Sequence, residues 1–154
     1  MISAIEGVAQ NIIELAPLLK RQWEELGEYR DRMPLVPDFG LYIVRESQGQ
    51  CFMVTARDEQ RCLMGYYICM VQAMPHHMTT LSGYIDFMWV VPEARGKSIG
   101  QMLLSATESE LRRRGVKIWF SVSRMSGKAH EHMDKLLARN GFSPLDLIYA
   151  KWIG

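Results

Sequence analysis

Long apolar runs, a charge excess and cysteine pairs are all missing from this chain. No stretch approaches the 18 or so consecutive apolar residues that a membrane-crossing helix needs, so no membrane partner is expected. Net charge is only +1, which leaves no strongly basic surface to hold nucleic acid. The three cysteines, Cys51, Cys62 and Cys69, are an odd number without C-x-x-C spacing. Free, mostly buried thiols in a reducing cytosol are the simplest account. Met1-Ile2-Ser3-Ala4-Ile5-Glu6 has neither a basic start nor a long apolar core, so no secretory leader is expected and a cytoplasmic location is. His76 and His77 are adjacent, and His130 and His132 are two apart on a helical stretch. Neither pair shares a face for ligation, and no metal is expected.

What is present is ordinary globular material. Its 154 residues, 48% hydrophobic and 23% charged, suit one domain with one core. The eleven methionines read as adaptable core filling. No repeat or low-complexity tract interrupts the chain.

Periodicity sets the order of elements. A short strand at Ile2–Ile5 precedes a helix over Val8–Tyr29, where Val8, Ile12, Leu15, Leu19, Trp23 and Leu26 recur at spacings of three and four. Pro17 would kink that helix or open a second one. Pro37-Asp38 resembles a helix start, giving a short helix over 37–48, although a strand also fits. Cys51–Arg57 and Cys62–Val71 read as a hairpin across Asp58-Glu59-Gln60-Arg61. A loop with Pro75-His76-His77 leads to an apolar strand over 82–91. A helix over 98–114 ends in Arg112-Arg113-Arg114 before Gly115, which places cations at its negative end. Strand Val116–Val122, a helix over 127–140 and a strand over Leu147–Ile153 complete the order.

The most informative residues lie between the apolar strand and the helix after it: Val91-Pro92-Glu93-Ala94-Arg95-Gly96-Lys97-Ser98-Ile99-Gly100. A strand, a basic glycine turn and a helix start make an anion cradle, because first-turn N–H groups lack helical partners and the helix dipole is positive there. A P-loop would need glycine where Val91 stands, and a Gly-x-Gly-x-x-Gly fingerprint fails because only Gly96 and Gly100 are glycine.

Arg-Gly-Lys-Ser-Ile-Gly after Val-x-Pro-Glu resembles the acyl-CoA pyrophosphate loop of the GCN5-related N-acetyltransferases, the GNAT superfamily, written Arg/Gln-x-x-Gly-x-Gly/Ala. Ser98 stands where that pattern has its first glycine. Asn140-Gly141-Phe142 resembles the Gly-Phe that closes the family's last helix, and the element order matches over nearly the whole chain. The resemblance implies a mixed α/β fold with about four helices and a central sheet splayed at the acyl-CoA strand. It implies acetyl-CoA as acyl donor, gripped by Arg95, Gly96, Lys97, Ser98, Ile99 and Gly100, with Arg95 offering a planar fork to phosphate oxygens. The backbone at Met88, Trp89 and Val90 would face the pantetheine arm and the acyl carbonyl. His130 falls where an Asn often touches the CoA arm, with Ser126 a turn away.

Asp86 is the one acid in the apolar strand and sits where relatives carry a glutamate facing the acceptor. Desolvation would raise its pKa, which suits a general base acting directly or through water. A strand-end aspartate paired with a loop N–H or an arginine explains it equally. The family's tyrosine general acid is absent, because Leu137 occupies that position. Tyr149 and Tyr84 are substitutes without support from spacing, so the acid is unassigned. His77, in the loop before the strand, could border the acceptor pocket. The expected activity is acetyl transfer to an amine of a small molecule or protein, in a monomer or homodimer. A GNAT-like module that binds acyl-CoA without catalysis is the alternative.

Overall fold

Cys51–Arg57 forms a strand as its apolar spacing predicts, and much of the rest follows the same expectations. A computed structural model describes residues 1–123, 127–146 and 148–153, leaving aside the side chains of 127–130. The elements are β1 (Ile2–Glu6), α1 (Val8–Leu26), α2 (Phe39–Ser47), β2 (Cys51–Arg57), β3 (Leu63–Met74), β4 (His77–Val90), α3 (Ile99–Arg113), β5 (Ile118–Phe120) and α4 (Gly127–Arg139). A 3-10 turn at Pro92–Ala94 leads into α3. They divide into two compact units, Met1–Val122 and Ser123–Gly154. The first holds a mixed sheet in the order β1-β2-β3-β4-β5, in which β4 and β5 run parallel and the other neighbours antiparallel.

The two faces of this sheet are covered differently. On one, Tyr66 Oη donates to Gln22 Oε1 of α1 at 2.5 Å. On the other, α3 lies so close that a Cβ at Gly83 would meet Leu111 Cδ2 at 2.8 Å. Between them Phe52, Met53, Val54, Tyr67 and Ile68 are buried with Leu15, Ile99, Leu103 and Leu104. Burial of that kind supplies about 1.5–3 kcal/mol for each large side chain.

Several boundaries move, for physical reasons. Pro17 lies within a continuous α1. It is exposed, as is Ile13, whose carbonyl loses its helical donor, so water can satisfy that oxygen. α1 stops at Leu26 because Gly27 leaves the helical region at φ −61°, ψ 130°. Asn11 and Gln22 are buried on its inner face, where the apolar pattern pointed to Ile12 and Trp23. Asp38 caps α2, accepting the Leu41 N–H at 2.9 Å. The expected Pro75-His76-His77 loop shrinks to a turn, because pairing extends to Met74 opposite His77. Residues 148–153, expected as strand, carry none, and Ile148, Tyr149 and Ile153 are largely exposed. Apolar content suits a segment to a sheet but does not by itself make it pair.

In the arginine run Arg112 and Arg113 are exposed, and Arg114 is the one that is largely covered. Arg114 lies over the Phe52 ring with its guanidinium carbon 4.6 Å from the centroid and donates to Gly49 O at 3.0 Å. Glu110, 6% exposed, accepts from both Arg113 and Arg114. Hydrogen bonds from Arg113 lead, with Arg114 assisting against burial, and hold its carboxyl at about 2. A carboxyl depressed in the folded state stabilises above its unfolded value and loses that contribution as pH falls through the folded one. Thermal melts from pH 7 to pH 2 should therefore show Glu110→Gln less stable at neutral pH and less sensitive to acid below about 4.5. Parallel curves for the two proteins would remove Glu110 from the fold's electrostatics.

Candidate active site

Among the described residues, strand β4 has a neighbour on both sides only in its middle. Its ladder with β5 covers Ser82, Gly83 and Tyr84, opposite Ile118, Trp119 and Phe120. Beyond Tyr84 it pairs with β3 alone, and the pairing shifts: Cys69 faces Ile85 while Ile68 faces Phe87. Asp86 is the extra residue of this β-bulge. The Val91 N–H donates to Met64 O at 2.9 Å. By the alternation of an antiparallel ladder, Trp89 turns its backbone to β3, while Met88 and Val90 turn theirs to the open side. The sequence placed all three there; the pairing register removes Trp89.

The Trp89 side chain has a different task. It is 4% exposed, and its indole N–H donates to Glu25 Oε2 of α1 at 2.9 Å. The Arg95 guanidinium grips the same carboxylate with both terminal nitrogens, at 2.7 and 2.6 Å, and its Nε donates to Val90 O at 3.0 Å. Arg21 lies 5.5 Å above the indole and pairs with Glu93 at 2.6 Å. Hydrogen bonds from Arg95 lead in holding the Glu25 carboxyl below its usual range. The fork that the sequence assigned to phosphate is committed to Glu25 here. Arg95 thus ties the loop to α1, and Lys97 is the loop's other cation.

The loop itself bends sharply. Gly96 and Ser98 both adopt positive φ, 80° and 58°, which turns the chain into α3 at Ile99. The first-turn amides of Ile99 and Gly100 have no intrahelical carbonyl to bond. A Cβ at Gly96 would meet nothing within 4 Å, so that glycine is there for its backbone conformation. Ser98, the helix N-cap, makes no side-chain capping bond.

Asp86 is half-buried and accepts a hydrogen bond from Tyr42 Oη of α2. Burial pushes its carboxyl up, against the opposing influence of Tyr42 and Arg45. Burial and the nearby carboxylate push the Tyr42 phenol up as well, so Tyr42 stays the donor. Tyr84 stacks on Phe120, with centroids 4.7 Å apart and 15° between planes. Tyr149 is 88% exposed and Leu137 is buried within its own unit. The His130 side chain and Ser126 lie outside the described residues. His77 begins β4, nine residues from Asp86. Sequence reasoning missed Glu25, Tyr42 and Arg45. The helix over 37–48 carried the only signal for the last two, since Tyr42 and Arg45 are three apart and share a face.

The model of the acetyltransferase (GNAT) family matches residues 12–142. The chain belongs to the GNAT family. Among curated proteins no match is found. Solved structures agree in fold. The ribosomal-protein-alanine N-acetyltransferase of Brucella melitensis biovar Abortus 2308 superposes with a TM-score of 0.71 at 18% identity, over 99% of this chain and 100% of that one. A predicted acetyltransferase with acetyl-CoA from Clostridium acetobutylicum gives 0.72 at 18%, over 99% and 94%. An aminoglycoside acetyltransferase from an uncultured soil metagenomic sample gives 0.78 at 13%, over all of both chains. At such identities the likeness is one of fold alone.

In this GNAT chain the departure at Ser98 has a conformational cost. A non-glycine residue in the left-handed region costs roughly 1–2 kcal/mol, part of which the flexibility of glycine in the unfolded chain offsets. Ser98→Gly should raise the melting temperature by about 2–3 °C, as expected for a gain of roughly 1 kcal/mol. A lower melting temperature would mean that the serine hydroxyl makes a contact worth more than the strain.

Proposed function

We propose that this GNAT protein transfers an acetyl group from acetyl-CoA to a primary amine. The observation that carries this reading is the meeting, in one strand-turn-helix, of three features. These are the open-side backbone of Met88 and Val90, the Gly96–Gly100 turn and the bulged Asp86. The Ile99 and Gly100 amides, with Lys97, would hold the pyrophosphate. The positive end of α3 supports them. The Met88 and Val90 N–H groups would hold the pantetheine arm and receive the oxyanion.

The amine arrives mostly as ammonium, with a pKa near that of lysine, about 10.4, and must lose a proton before it attacks. Asp86 accepts that proton, through water given the short reach of an aspartate, while Tyr42 keeps its carboxylate in place. The amine nitrogen bonds to the thioester carbon and the C–S bond breaks. CoA leaves as a thiolate, whose pKa of about 8.5 allows water to protonate it. One proton is released overall. This route needs no tyrosine at Leu137. A non-catalytic acyl-CoA module remains the second reading, favoured by the apolar Leu137 itself.

Calorimetry with acetyl-CoA and with ATP tests the donor site. Heat with acetyl-CoA and weaker binding of ATP is expected; silence with the first, or tighter binding of the second, would sink the assignment. Thiol release across an amine panel then separates enzyme from module. Asp86→Asn should lower turnover by roughly 10²–10⁴-fold with acetyl-CoA affinity nearly intact. Wild-type rate should rise with pH along a limb that the Asn variant lacks. Because the folded-state pKa is raised, ionising Asp86 costs stability as pH rises through it, so the Asn variant should melt no lower than wild type at pH 7. A stable and fully active Asn variant would leave bulk water as the base.

A further inference from the structure

The bulged β4 lies against β3, with β2 the next strand and α2 reaching Asp86 through Tyr42. Their charged side chains are few. Neither β2 nor β3 contains an acid, and β4 contains only Asp86. The acid within α2 is Glu46, and it is already engaged. Its Oε1 accepts the Val8 N–H at 2.8 Å and its Oε2 the Ala9 N–H at 3.4 Å, capping α1. Asp38, at the helix's N-cap, is occupied by Leu41 N–H. Glu25, on α1, is held by Arg95 and Trp89.

The cations reduce in the same way. Arg57 of β2 is spent on Glu6, Glu14 and Asn11, and His77 lies at the far end of β4. Arg45 is left. It is half-buried on α2, three residues and so one helical turn beyond Tyr42, whose hydroxyl holds Asp86. Among the described residues its guanidinium forms no ion pair. Its charge nevertheless reaches Asp86 and Cys51. Tyr42, which bonds Asp86, and Arg45 share a face of α2, so one anion and one uncommitted cation lie on the same side of that helix.

Resting on the acetyl-transfer reading above, we infer that the acceptor is a zwitterion of the amino-acid class, with its amine at Asp86 and its carboxylate on the Arg45 guanidinium. Arginine suits this because its planar fork matches a carboxylate with two parallel hydrogen bonds. A polycationic acceptor would need several free carboxylates, and the elements around the bulge offer one. A peptide N-terminus offers the amine without the adjacent carboxylate and leaves Arg45 without a partner.

The test uses the intact protein with acetyl-CoA. L-Leucine, L-methionine, L-phenylalanine and L-glutamate are each compared with the amine that lacks the α-carboxylate, and with an alanyl peptide amide. The amino acid of at least one pair should show a kcat/KM at least tenfold higher than its decarboxylated partner. Arg45→Gln should bring that ratio close to one, mainly through the amino acid's KM, while Arg112→Gln, an exposed arginine on α3, keeps it. Calorimetric titration of the protein–CoA complex with the same amino acid should show binding that Arg45→Gln loses. Decarboxylated amines or the peptide amide accepted as well as the amino acids, or a ratio indifferent to Arg45→Gln, would overturn the inference and leave acetyl transfer standing. Acetyl-CoA binding with no compound of any series bound or acetylated overturns it too. Failure of acetyl-CoA itself to bind overturns both readings.

Discussion

After Tyr84, β4 runs on with a partner on one side only, and the other features of the candidate site follow from that. A strand paired on both sides would spend its N–H and C=O groups on its neighbours. Here the β5 ladder ends after three residue pairs. Backbone groups of Met88 and Val90 are thereby left facing an opening within an otherwise paired sheet. The bulge in the same stretch breaks the side-chain alternation and turns Asp86 toward α2. The opening and the carboxylate are thus two consequences of one irregular strand.

Holding such a strand in place requires anchors elsewhere. Arg95 supplies one by joining Val90 O to Glu25, and Trp89 inserts beneath it with its indole on the same carboxylate. Both groups are tied to α1, the helix whose N-terminus Glu46 of α2 caps. The phosphate-type turn, the open strand and the first two helices are therefore mechanically connected. An exposed ion pair contributes little by itself, roughly 0.2–1 kcal/mol. The Arg95–Glu25 pair matters more for the geometry it fixes than for its energy.

Electrostatics around the bulge are sparse by elimination. Among the described residues, most charged side chains near it are committed to helix caps or ion pairs, which leaves Asp86 and Arg45 as the unneutralised groups. A site with one free charge of each sign discriminates by separation and orientation, and less by net attraction. The chain's formal net charge of +1 fits that picture.

Much of this fold was legible in the sequence. Helical spacing gave the long α1, α3 and α4, hairpin patterning gave β2 and β3, and Arg95–Gly100 marked the turn between β4 and α3. These are local signals: periodicity, turn chemistry and the left-handed need of Gly96. Local signals could not show that Trp89 pairs its backbone with β3, because pairing direction depends on register with another strand. They could not show that Glu25, 70 residues away, occupies the Arg95 fork, nor that Tyr42 reaches Asp86 across 44 residues. They overstated the segment at 148–153, because apolar content marks a segment as suited to a strand and does not by itself make it pair. The sequence by itself determined which residues were chemically suited to helices, strands and an anion turn. Tertiary structure alone decided which charges were already satisfied, because neutralisation is a property of distance in space.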